Sequence, residues 1–148
     1  MQYSYDESYL SEVQKNLGFF FQFLLHNLAF SPKNAQAIFL SSIIPAQIEQ
    51  ANPDFLCGKS GFELTLLALG QKAESNIMTK IDEAIKEPFF PEAEYWSGYI
   101  LAYCQWKHSI PFSTILKNYP LERILNSYHL LHEADITKAD SVIMSFLE

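Results

Sequence analysis

Tyr95-Trp96-Ser97-Gly98-Tyr99-Ile100-Leu101-Ala102-Tyr103-Cys104-Gln105-Trp106 is the stretch in which this chain chooses between helix and strand. A half-buried strand would alternate polar and apolar residues, and no strict alternation is present. Trp96, Tyr99, Tyr103 and Trp106 instead recur every three or four positions, which places them along one side of a helix. The spacing predicts a helix over residues 94–107. Gly98 inside it costs roughly 1 kcal/mol relative to alanine, a cost that a close crossing with another helix would explain. Tryptophan and tyrosine join a large apolar body to a polar handle, which suits a core edge and an interface anchor alike. Those four residues are the candidate protein-binding set.

Working toward the N-terminus, the same period recurs in Leu10, Val13, Leu17, Phe21, Leu24 and Leu28, a helix over about residues 5–28 with Ser4 and Glu7 as its capping box. Phe19, Phe20 and Phe23 widen its apolar face beyond one seam, so this helix is central or borders a partner. Ser31-Pro32 restarts the chain as cap and first helical residue. Ala35, Ile38 and Phe39 form the buried face of that second helix, which runs to about residue 42. Pro45 opens a short helix presenting Ile44 and Ile48, and Asn52-Pro53-Asp54 opens one more turn that ends near Gly58. Ser60 and Glu63 form a second capping box ahead of a helix over residues 61–69. Residues 73–94 carry six acidic side chains against two lysines, with an apolar face reduced to Ile77, Ile81 and Ile85. They read as a solvated helix and a proline-bearing loop. Beyond residue 107, residues 109–117 and 120–128 form two shorter helices. A last helix from His132 or Ala134 turns Ile136, Ala139, Val142, Ile143 and Phe146 toward the core.

The fold class is therefore all-α, a compact multi-helix orthogonal bundle. With 148 residues, 49% of them hydrophobic, one domain spanning residues 1–148 buries a core without disulfide or metal. A subdomain boundary, if the chain has one, falls at residues 87–94. Seventeen acidic residues against ten basic ones, of which only Arg123 is arginine, argue against a nucleic-acid binder that neutralises phosphates. Cys57 and Cys104 match no zinc or redox spacing and read as buried free thiols of a reducing compartment. The N-terminus lacks the pattern of a signal peptide, and the most apolar run, Leu17 to Leu25, falls short of the roughly 20 residues of a bilayer span. The expected location is the cytoplasm.

Motifs for chemistry are sparse. Gly58-Lys59-Ser60 ends like a phosphate loop, but Pro53 stands where its first glycine belongs. His129 and His132, three apart, with Glu133 or Asp135 nearby, are the nearest approach to a ligand cluster, without the spacing of a zinc helix. His26 and His108 each stand alone beside an apolar segment. Cys104 lies within the aromatic helix, where desolvation blunts a thiol. Residues 110–128 trace two short helices of a helix-turn-helix outline, offering Arg123 and Asn126 but little positive charge around them. No catalytic residue, metal ligand or cofactor motif emerges.

Three blocks carry a family likeness: Asn52-Pro53 with Gly58-Lys59-Ser60-Gly61-Phe62-Glu63-Leu64; Tyr95-Trp96-Ser97-Gly98-Tyr99 with Leu101-Ala102-Tyr103-Cys104-Gln105-Trp106; and Leu131-His132-Glu133-Ala134-Asp135. They resemble small helical bacterial proteins of uncharacterised function, encoded near ADP-ribosyltransferase-like or other toxin-like proteins. Cys104 stands where that pattern more usually has tyrosine. The resemblance implies an antitoxin-like or accessory role with a partner encoded by a neighbouring gene. The expected function is a non-enzymatic protein-binding module, with self-association of the aromatic helix as another use of the same surface. The alternatives are a DNA-binding regulator using residues 110–128 and a small enzyme centred on His132.

Overall fold

The computed structural model describes residues 2–70 and 75–147, and among them eleven α-helices form an all-α bundle without strands. Its axis is a helix pair. Helix α1 (Leu10–Gln22) packs along α7 (Ala93–His108), so an early and a late segment of the chain share one seam. Leu17, Phe20 and Phe21 from α1 and Ile100, Leu101 and Ala102 from α7 are completely buried. Gly98 makes the approach feasible, because a Cβ there would lie 2.2 Å from the carbonyl oxygen of Leu17. The expected close crossing is therefore backbone against side-chain-free backbone.

The start of the chain departs from the expected capping box. Asp6 rather than Ser4 caps the first turn, accepting a hydrogen bond from the Ser8 amide at 2.9 Å. That turn, Glu7–Tyr9, is a 3-10 helix leading into α1. Ser4 is taken by α7 instead. Its hydroxyl accepts from Gln105 Nε2 at 2.9 Å, and its amide donates to the Trp106 carbonyl at 2.9 Å. After α1 the helix widens to a π-turn over Phe23–Asn27.

Helix α2 (Pro32–Ser41) begins at the expected cap, Ser31 accepting from the Asn34 amide at 3.1 Å. Two short helices follow, α3 (Ile44–Glu49) and α4 (Pro53–Leu56). Helix α5 (Gly61–Leu69) carries the complete Ser60–Glu63 capping box. Its first residue is pressed onto α1, since a Cβ at Gly61 would meet Phe19 Cβ at 2.5 Å and the Asn16 carbonyl at 2.8 Å. Gly70, at φ +60°, ends this helix; the residues that would carry it onward lie outside those described. Helix α6 (Ser75–Lys86) buries Ile81, whereas Ile85, expected on the same apolar face, is exposed near the end of the helix.

After α7, helices α8 (Phe112–Asn118) and α9 (Leu121–Asn126) bury Phe112, Ile115, Leu116, Leu121 and Ile124. A separate turn, α10 (Tyr128–Leu131), and helix α11 (Ile136–Met144) close the bundle, the latter capped by Asp135. Two expectations fail here. Phe146 lies past the end of α11 and is 42% exposed, meeting the core at the edge of Tyr119, 5.3 Å away, with Arg123 laid over its ring. Cys57 is exposed while Cys104 is buried, because α4 ends at Leu56 and Cys57 falls on its outer side; both are free thiols.

Candidate binding site

The four residues of the aromatic stripe do not share one environment. Trp106 belongs to the interior: it is 4% exposed, its Nε1–H donates to the Tyr5 carbonyl at 2.9 Å, and Tyr3 stacks on its ring at 4.1 Å. The N-terminal segment thus straps over the end of α7. Tyr103 is half-buried against Trp106 with Lys107 over its other neighbourhood, 5.7 Å from the ring centroid. Trp96 is half-buried and Tyr99 is exposed, and these two lie at the other end of α7.

There they meet the second set of candidates. Trp96 and Tyr99 line a shallow notch of about 240 Å³ together with Tyr95, Tyr128, His132 and Glu92. Trp96 and Tyr128 cross edge to face at 5.8 Å, and His132 stacks on Tyr128 at 4.1 Å. His132 Nδ1 lies 2.6 Å from the Tyr128 carbonyl. A carbonyl oxygen only accepts, so Nδ1 carries a proton and, in the neutral ring, Nε2 keeps its lone pair. The histidine is thereby fixed as part of an aromatic wall. Among the described residues no group of three or more histidine, cysteine, aspartate or glutamate side chains is arranged to hold a metal ion.

A larger concavity lies across Glu92 from the notch. This cleft, of about 870 Å³, runs between α1, the start of α5, the end of α6 and the loop over residues 87–92. It falls within the range of small-ligand and peptide sites. Its apolar lining comes from Phe19, Phe23, Phe62, Phe89 and Phe90. Phe23 rests on Phe62 at 4.6 Å and Phe19 on Phe89 at 4.8 Å. Phe90 is 75% exposed and Ile85 57%, so the rim is an apolar patch facing solvent. Around it stand five carboxylates, Glu12, Glu63, Glu87, Glu92 and Glu94, against Lys15 and Lys59. Lys15 is paired with Glu12 at 3.2 Å, and Glu63 is engaged in the capping box. Lys59 lies over the Phe55 ring. Gln22 Oε1 and Asn27 Oδ1, at the cleft wall, are buried without a hydrogen-bond partner among the described residues. An unmet buried acceptor costs about 1–3 kcal/mol, so a bound donor would be rewarded here.

Of the remaining sequence candidates, His26, Lys59 and Ser60 line the cleft, while Arg123 and Cys104 are taken up in packing. Arg123 lies over the rings of Phe146 at 4.0 Å and Tyr119 at 4.7 Å, and α9 turns Leu121 and Ile124 inward. Cys104 does approach a histidine and an acid, through Asp140, which is 2% exposed and holds His108 Nε2 at 2.9 Å and Lys107 Nζ at 3.6 Å. Burial first, and then the Asp140 carboxylate, push the Cys104 thiol well above its ordinary pKa. This opposes formation of a nucleophilic thiolate. Lys59 and Ser60 serve the cleft wall and the α5 cap, not a phosphate loop.

The loop at residues 87–92 was legible as a loop, but not as one wall of a cleft. That role depends on Phe89 folding back onto Phe19, 70 positions away, with Tyr95 closing a triangle of rings at 5.0 Å from Phe89 and 5.2 Å from Phe19. No family model, curated protein or solved structure matches this chain. Among the described residues no helix is long and apolar enough to cross a membrane.

Proposed function

We propose that this chain is a non-catalytic protein-binding module whose cleft receives a basic, partly aromatic or aliphatic segment of a protein partner. The observation that carries the reading is the pairing of an exposed phenylalanine rim with a surplus of carboxylates around one concavity. Exposed contiguous apolar surface rimmed by charge is the usual mark of an interaction site. Apolar side chains of the partner supply the buried area, and its lysines or arginines meet Glu87, Glu92 and Glu94. Formal charge of -7 favours the encounter with a basic partner over a distance before contact. The family resemblance gives this reading its antitoxin-like or accessory form, with the partner encoded by a neighbouring gene.

Co-expression with the products of the two flanking genes tests that form, using wild type and Phe90→Glu. Phe90 is exposed enough that its replacement leaves the core intact. The reading expects a complex of fixed stoichiometry with wild type and its loss with the variant. No complex with either neighbour removes the antitoxin-like form, and a complex indifferent to Phe90→Glu removes the cleft as its site.

A further inference from the structure

The aromatic notch has chemistry of its own, separate from the cleft. Its lining contains four benzenoid or indole side chains, one imidazole, one proline and one carboxylate, with no lysine or arginine. Trp96 and Tyr128 are inclined at 67° and line the notch with Tyr95 and Tyr99, so a group held there is in contact with aromatic rings. The face of an aromatic ring is its negative side and attracts a cation. Glu92 lines the same notch, and Glu133 reaches to 3.6 Å from His132 Nε2 at its edge.

We propose that this notch is the receptor for an arginine side chain presented by the protein partner. Charge and size point to the same occupant. The volume of about 240 Å³ is below the roughly 300 Å³ at which enclosed small-molecule sites begin, and the notch is shallow. Such a shape suits the end of a tethered side chain. A guanidinium group is planar, stacks on rings, engages a carboxylate through two N–H groups and is less strongly hydrated than an ammonium group. The chain already places one guanidinium over aromatic rings, that of Arg123 over Phe146 and Tyr119. Glu92 borders both the cleft and the notch. An arginine flanking the cleft-bound segment therefore meets the notch without a second point of attachment. The source of the arginine rests on the protein-binding reading; the chemistry of the notch does not, and it is testable without a partner.

The test is a titration of the whole, isotopically labelled protein with N-acetyl-arginine amide, followed through its two indole N–H signals by NMR. Trp96 lies in the notch, and Trp106, hydrogen-bonded in the core, is the internal reference. The Trp96 signal should shift saturably while that of Trp106 stays in place. The citrulline analogue, similar in shape but uncharged, should bind about five- to tenfold more weakly. Tyr99→Leu, at an exposed position, should weaken arginine binding several-fold and leave the Trp106 signal unmoved. Equal response to arginine and citrulline would show an apolar socket and overturn the proposal. So would the absence of a saturable Trp96 shift. Phe90→Ala, which removes the exposed ring of the cleft without adding charge beside Glu92, should leave these shifts unchanged, so the cleft and the notch can fail separately.

Discussion

Gly98 lies so close to Leu17 that a Cβ at position 98 would sit 2.2 Å from the Leu17 carbonyl oxygen. The obstacle is backbone in the middle of a buried helix, which has no flexible end to swing aside. Alanine would gain about 1 kcal/mol of helix propensity, but overpacking costs typically 1–3 kcal/mol and more where backbone must move. Packing therefore wins. Gly98→Ala should lower stability in urea unfolding by about 2 kcal/mol net, and an unchanged or raised midpoint would contradict the crossing.

The two thiols should separate by reactivity. Cys57 is exposed, whereas Cys104 is buried beside Asp140 and its thiol is held protonated. With an aromatic disulfide reagent at neutral pH, one thiol per native chain should react promptly. The second should appear only when the protein unfolds. Prompt reaction of both would show that α7 does not pack as described.

The cap of α11 gives a pH dependence of definite sign. Asp135 accepts from the Thr137 amide at 2.9 Å and from its hydroxyl at 2.7 Å. These bonds hold the carboxyl below its ordinary value of 3.8. A group whose folded-state pKa is depressed contributes stability above its unfolded value and loses it as pH falls through the folded one. Asp135→Ala should therefore be less stable than wild type at neutral pH, and the difference should shrink below about pH 4. A difference that persists unchanged at pH 2 would assign the effect to something other than the charged cap.

Periodicity and caps were strong guides where they act locally. The α2 start at Ser31-Pro32, the capping box of α5 and the helical reading of residues 94–107 all depend on neighbours within four positions. Features made by distant residues were not readable in that way. The amide of Phe112 at the start of α8 donates to Glu49 at 2.9 Å, and that of Leu121 at the start of α9 donates to Gln36 at 2.8 Å. Neither acceptor signals its role in sequence. The same limit applies to the site. The stripe from Trp96 to Trp106 was visible, but helical spacing cannot say that its last member is covered by Tyr3 while its first meets Tyr128 and His132. Two candidates read as rivals, the aromatic helix and the His132 region, become adjacent parts of one surface. The cleft itself depends on Phe89 meeting Phe19, a contact with no periodic signature.

The most direct test of the central claim is peptide selection from a random display library against wild-type protein, followed by affinity measurements on wild type and Phe90→Glu. The account predicts enriched peptides that combine aromatic or aliphatic residues with lysine or arginine. Their affinity should fall at least about tenfold on Phe90→Glu, as expected when charge enters an apolar contact, and should weaken as salt rises. Enrichment of acidic peptides, or of peptides that bind both proteins equally, would contradict a cleft built to receive a basic partner.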